Sequence, residues 1–446
     1  SIPAARTAYD KLSDNAKTLV GNYETLTAAE EALAKAEADV ISNAIKAIDA
    51  IGNVTADSKD KIEKAKDAYS AVPERLRDKV TNSDTLDKAT ERFAVIDTIK
   101  QAGTKSKDHF DTVLGTLADN DIYPVQSIGG EWSVIALARA GKLSADKAAK
   151  YYSELCEAVK ANGSDRLSDR KPTENARVII ALSSLGKNSA DIAGHNLLSG
   201  LDDMDYITSQ GINAVIFSLI AFDTTDYSAK THDELIAYIV DNMTGKGWAL
   251  AGDTADVDLT AMAIQALAPY AADEKVNAAI DSGLEFLAES LDENARYANG
   301  SESTSQVLIA LAALGIDPLT DSRFIVDGIT LIDALESYAT ENGYSHTLGG
   351  EENYMATEQA ALALTAYELS KDGTSLYEMS AKAEPTEPEN PDTPAQPGDS
   401  VKPGDCSGKP EDKNDPINPG TGVLVTGGMA VLISGAVMLI SKKKRK

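Results

Sequence analysis

Asp256 and Asp258 stand two residues apart at the opening of an apolar run that ends at Leu267, and Glu358 opens another that ends at Leu364. A carboxylic acid facing a cavity can act as a general acid. Facing water, Glu358 is a rim residue. At a helix start the same group stabilises the helix through its dipole by about 0.3–1 kcal/mol, and capping is the stronger reading for Asp256 and Asp258. No metal chemistry is expected: His109, His195, His232 and His346 are far apart and have the look of ordinary surface or loop residues. Cys156 lies in a helical run and Cys406 in a Pro/Gly-rich stretch, so the two are expected not to pair. No cofactor is implied. A net charge of −28 repels phosphate backbones and argues against nucleic-acid binding.

Six segments position these residues. Each begins with small or polar residues and continues as an almost wholly apolar helix. They start at Gly130-Glu131-Trp132, Glu174-Asn175-Ala176-Arg177, Gly211-Ile212-Asn213, Asp256-Val257-Asp258-Leu259-Thr260, Ser303-Thr304-Ser305-Gln306 and Thr357-Glu358-Gln359. The landmarks Leu137, Leu182, Leu219, Leu267, Leu311 and Leu364 recur at intervals that leave room for two helices and their loops. The intervening helices are one-sided. One carries Val276, Ile280, Leu284, Leu287 and Leu291 at helical steps, and another opens at Thr231 with Glu234 three residues on, a capping-box pattern. Helices apolar all round belong inside and one-sided helices outside. Six of each in alternation predict an all-α fold with a closed α6/α6 toroid over residues 104–380. The N-terminal ends of its inner helices, with their partial positive charge and unpaired N–H groups, should form a polar funnel. Glu131, Trp132, Asn175, Asn213, Asp256, Asp258, Gln306, Glu358 and Gln359 are expected to rim it, with Trp248 a further candidate ligand contact; both tryptophans also suit packing.

Gly245-Lys246-Gly247-Trp248 followed by Asp256 to Leu267 resembles the prenyltransferase and squalene-cyclase repeat superfamily, above all its bacterial surface-protein branch. The resemblance implies the toroid but not one activity, because the fold hosts unrelated functions. Class II terpene cyclases of this superfamily carry Asp-x-Asp-Asp. Asp256 and Asp258 match it, but Leu259 replaces the last Asp, and aromatic residues to stabilise carbocations are scarce. The zinc ligands of protein prenyltransferases and the Cys-Gly-Glu-Gln of thioester domains are absent, as is the β domain of the cobalamin carriers.

In the first hundred residues Ala8-Tyr9, Val20, Asn22, Thr25-Leu26, Ala29 and Glu31 recur sixty residues later as Ala68-Tyr69, Val80, Asn82, Thr85-Leu86, Ala89 and Glu91. Between the copies, Val40, Ile41, Ala44, Ile45 and Ile48 form one helical stripe. Residues 1–37 are therefore read as a truncated helical repeat and residues 38–103 as a three-helix module. The repeats resemble tandem modules of Gram-positive surface proteins, which suits a stalk.

Residues 381–417 are rich in Pro, Glu, Asp and Gly, the composition of an extended linker that could thread a cell wall. Residues 418–446 hold Asn418-Pro419-Gly420-Thr421-Gly422, an uncharged segment 423–440 of the shortest length for a membrane span, and Lys442 to Lys446. Motif, apolar run and basic end in this order resemble a sortase sorting signal, with Asn418 where the common signal has Leu. The resemblance implies an extracellular protein whose precursor is held in the membrane by 423–440, with sortase and a peptidoglycan cross-bridge as partners. The chain begins at Ser1 without a methionine or an apolar export segment, so an export signal is expected to have been removed or to lie outside this sequence. The function expected is display of a toroid that binds a ligand or a host or wall component. The alternative is a surface-displayed enzyme, terpenoid-cyclase-like or acting on polysaccharide, using the toroid cleft.

Overall fold

The computed structural model describes residues 1–379. The segments 381–417 and 418–446, with Asn418 to Gly422, the apolar run 423–440 and Cys406, lie outside the described residues. The described chain is all-helical, with isolated β-bridges and no strand among these residues. No described helix is long and apolar enough to cross a membrane.

Two compact units divide the described chain: Ser1–Gln101 with Asp327–Ile329, and Ala102–Val326 with the described residues from Thr330 onward. In the first unit α1 (Ile2–Asp10), α2 (Asp14–Lys17) and α3 (Tyr23–Asp49) are followed by α4 (Lys59–Ser70), a 3-10 turn (Glu74–Lys79) and α5 (Ser83–Gly103). The sixty-residue repeat maps element on element: α4 answers α1, the 3-10 turn answers α2, and α5 answers the first part of α3. Position 37 falls inside the unbroken helix α3, so the division expected between residues 37 and 38 is not a break in the chain's structure. No Gly or Pro interrupts residues 23–49, and Ala, Leu, Glu and Lys favour helix throughout. The core of this unit joins Ala44, Ile48 and Ile51 to Ile62, Ala65, Val72, Val80 and Leu86.

The second unit continues with α6 (Ser106–Asp119), α7 (Ile128–Arg139), α8 (Ala145–Asn162) and α9 (Pro172–Ser184). Next come α10 (Leu197–Leu201), α11 (Met204–Thr208), α12 (Ile212–Asp223) and α13 (His232–Asp241). Last are α14 (Val257–Leu267), α15 (Glu274–Glu289), α16 (Ser301–Ala313), α17 (Leu331–Glu336) and α18 (Tyr354–Ser370). The six apolar segments are α7, α9, α12, α14, α16 and α18. Each packs on the next, and α18 packs back on α7. Nearly every residue of α12 and α16 is buried, whereas α8 and α15 bury one stripe each: Tyr151, Tyr152, Leu155, Cys156 and Val159 on α8, and Val276, Ala279, Ile280, Gly283, Leu284 and Leu287 on α15.

Two local expectations need correction. Thr231 does not close a capping box on α13. Its hydroxyl and its N–H both donate to Asp202, at 2.7 and 3.0 Å, so a carboxylate from the turn between α10 and α11 takes the capping group away. A capping box does occur at α17, between Thr330 and Asp333. Cys156, buried on α8, is disulfide-bonded, contrary to the expectation that the cysteines stay unpaired.

Candidate functional site

A polar residue in the first turn of four apolar helices accepts hydrogen bonds from the backbone of the loop before it. Glu131 accepts from Gln126 N at 2.6 Å and Ser127 N at 2.8 Å. Asn175 accepts from Leu167 N at 2.8 Å while its amide donates to Asp165 O and Leu197 O. Thr260 accepts from Trp248 N at 3.0 Å, and Thr357 from Tyr344 N at 3.0 Å. Two of these clasps need glycine. A Cβ on Gly247 would come within 2.3 Å of Thr260 Oγ1, and one on Gly343 within 2.4 Å of Thr357 Oγ1. The loops must satisfy their buried N–H groups, and the side chains nearest the helix starts do so.

Several residues expected at a ligand-facing rim are therefore structural. Asn175 is fully buried among loop carbonyls. Asp256 caps α14, its Oδ1 accepting from Leu259 N at 3.0 Å. Trp248 is fully buried, and its indole N–H donates to Ile239 O at 2.6 Å. Asn213 is buried in the first turn of α12.

The structure brings the others together in three groups. Glu131 lies 3.0 Å from Arg177 Nε and accepts from Tyr151 OH at 3.0 Å, while Arg177 also holds Glu174 at 2.6 Å. Burial raises the Glu131 carboxyl, opposed by Arg177, Tyr151 and the Gln126 N–H. Glu358, which carries no exposed surface, accepts from Ser133 Oγ at 3.3 Å, and Ser133 pairs with Tyr354 OH at 2.9 Å. Its Oε1 is buried without a partner. Burial pushes this carboxyl well above the usual range, and with no exposed surface it is not a solvated rim group. The third group is a run of amides. Gln265 Nε2 donates to Gln306 Oε1 at 2.9 Å, and Gln306 Nε2 donates to Gln359 Oε1. Nearby on α14 and α16, Asp258 accepts from Ser303 Oγ. Trp132 packs on Phe217 with ring centroids 5.5 Å apart.

A cavity of about 460 Å³ opens at the other ends of the helices, where α12, α14, α16 and α18 finish. Asp223, Gln265, Tyr270, Ser375 and Glu378 are among its polar walls. Asp223 Oδ1 takes hydrogen bonds from Tyr270 OH at 2.6 Å and from His232 Nε2 at 3.0 Å, while Oδ2 is buried without a partner. Burial raises the Asp223 carboxyl against the pull of Tyr270 and His232. The last turn of each helix also presents unpaired carbonyls with partial negative charge. The site therefore offers acceptors, and it suits a ligand rich in hydroxyl or amine donors.

Periodicity pointed to helix starts and gave no sign of this opposite end. One signal was present: Gln265 is a lone polar residue inside the run Ala261 to Leu267. His195 and His346 lie in loops as expected, but each histidine also meets a carboxylate. His109, His195, His232 and His346 each place a ring nitrogen within 3.1 Å of a carboxylate, on Glu336, Asp165, Asp223 and Glu302 respectively. Charge patterning along the sequence does not reveal these pairs because the partners lie on other elements. No cluster of three or more metal-ligating side chains occurs among the described residues. Comparison of the chain with protein families, with curated proteins and with solved structures gives no match.

Proposed function

We propose that this chain is a surface protein that sortase links to a Gram-positive cell wall, displaying a ligand-binding α6/α6 toroid on helical stalk modules. The observation that carries the anchoring is the order of Asn418-Pro419-Gly420-Thr421-Gly422, an uncharged run and five basic residues. In this reading the bond between Thr421 and Gly422 breaks, the Thr421 carbonyl passes to a cross-bridge amine, and Gly422 keeps the freed amine. The circuit of packed helices from α7 round through α18 supports the toroid. The repeat of α1 and α3 in α4 and α5 supports the stalk.

Binding is favoured over catalysis by the state of the carboxylates. Asp256 is committed to a cap, Glu131 to Arg177, and Glu358 is sealed from solvent. The ligand seat we assign is the cavity bounded by Asp223, Gln265 and Tyr270, whose volume lies in the usual range for small-molecule pockets.

Mass spectrometry of wall digests tests the anchor. A peptide ending at Thr421 and joined to cross-bridge is expected, and recovery of chain intact to Lys446 from membranes alone refutes it. A glycan and metabolite binding screen on the purified protein tests the seat. Any ligand found should lose affinity in Asp223→Asn and Gln265→Leu; equal binding to both variants would place the seat elsewhere.

A further inference from the structure

An apolar groove of about 540 Å³ runs between α1, the turn at Val20 and the start of α3. Its walls include Ile2, Ala5, Tyr9, Leu12, Val20 and Leu26. Sixty residues on, the same places in the repeat are Ile62, Ala65, Tyr69, Val72, Val80 and Leu86, which form the core of the first unit. There the space is filled by the second half of α3, through Val40, Ile41, Ala44, Ile45 and Ile48, and by Ile51 just after it. The difference in cover is large. Val72 is 1% exposed and its counterpart Leu12 is 38% exposed, while α1 buries no residue at all.

A polar counterpart repeats as well. In the filled copy Asn82 donates its side-chain amide to Ile45 O at 3.0 Å and to Asp49 Oδ1 at 2.8 Å, both on the helix that occupies the groove. Its equivalent Asn22 sits at the edge of the open groove, at the start of α3, with its side chain making no capping bond. An apolar surface and the amide that orients its cover are thus both present in the first copy, without the cover.

We propose that this groove is a docking site for an amphipathic helix with the pattern of residues 40–51: Val or Ile at the positions of Val40, Ile41, Ile45, Ile48 and Ile51, Ala at that of Ala44, and an acid at that of Asp49. The internal repeat names the occupant, because the same walls select that pattern sixty residues further along. The inference rests on the repeat and the groove, and is independent of the anchoring and of the toroid's ligand.

A labelled peptide of residues 37–52 titrated into the full chain provides the test. Saturable binding is expected, weakened at least about tenfold by Leu26→Glu in the protein and by Ile45→Asp in the peptide. Saturable binding that ignores Leu26→Glu overturns the proposal. An isolated helix this short is marginal in water, so absence of peptide binding is resolved by a chain carrying residues 37–60 ahead of Ser1, which restores the spacing of the filled copy. Its α1 amides should exchange markedly more slowly than in the parent chain, and should speed up again with Leu26→Glu. Unchanged exchange overturns the proposal. So does a parent chain that self-associates in light scattering and becomes monomeric with Leu26→Glu, since a second copy would then be the occupant.

Discussion

Glu358 is the residue whose environment differs most from its place in the sequence pattern. A carboxyl in the first turn of a helix ordinarily stays ionised and favours the helix dipole, and Glu358 lies just past the first turn of α18. Here Ser133 and the neighbouring helices leave it no exposed surface, and burial raises it well above 4.5. The folded state then holds a proton that the unfolded chain releases as pH rises above about 4.5, so this group's contribution declines from there upward through its raised value. Glu358→Gln keeps the shape and removes the titration. We expect the variant to gain stability relative to the parent by about 1 kcal/mol or more at pH 8, with the gap closing toward pH 4. Urea unfolding at several pH values measures it; a gap independent of pH would show that Glu358 is not held neutral. Asp256 gives the opposite case. As a cap it should tolerate Asn almost unchanged and lose about 1 kcal/mol with Ala. If Asp256→Asn instead proved as costly as Ala in thermal melts, the carboxylate charge would matter more than its capping oxygen.

At the scale of elements the sequence was a good guide to helices and a poor one to what their ends do. All six apolar segments became helices, because past the first turn none of them contains Gly or Pro, and α7 does so although Gly129 and Gly130 lie at its start. The one-sided run buried Val276, Ile280, Leu284 and Leu287 although Gly283 lies among them, while Leu291 falls past the end of α15 and is only partly buried. The helix starts misled because a polar residue in a first turn serves equally for a ligand or for the preceding loop, and only tertiary structure decides. Thr260 and Thr357 fasten loops, and so does Asn175. The Asp202 carboxylate that displaces the expected box at Thr231 comes from a different turn, out of reach of local pattern. The Asp223, His232 and Tyr270 group was illegible for the same reason: its members come from the end of one helix, the start of the next and the turn after α14. Glu131 and Arg177 couple two elements, α7 and α9, through a buried pair with side chains 0% and 7% exposed. Removing one partner strands the other. Arg177→Met should cost about 3–5 kcal/mol, and adding Glu131→Gln should return much of that. A double variant no better than Arg177→Met alone, by chemical denaturation, would mean that lost packing of the Arg stem dominates.

For the whole molecule, the two compact units each hold a separate apolar cluster. The smaller is built around Ile48, Ile62 and Leu86, and the larger around residues such as Leu308, Ile179 and Phe222. A unit of about one hundred residues buries a smaller share of its surface than a larger one and is correspondingly less stable. Separate cores also permit separate cooperative transitions, which a single-domain account forbids. Calorimetry of the full chain is therefore expected to resolve two transitions. Ile48→Ala, which empties a fully buried site, should lower the first by an amount equivalent to about 2–5 kcal/mol and leave the second in place, and Leu308→Ala should do the converse. Were either substitution to shift one shared transition, the chain would unfold as a single cooperative body. The repeat assigns the weak transition a further property. Because α1 buries nothing, its amides should exchange first, ahead of α4, although the two helices are copies of one pattern. What separates them is cover: α4 has the second half of α3 against it, and α1 has an open groove.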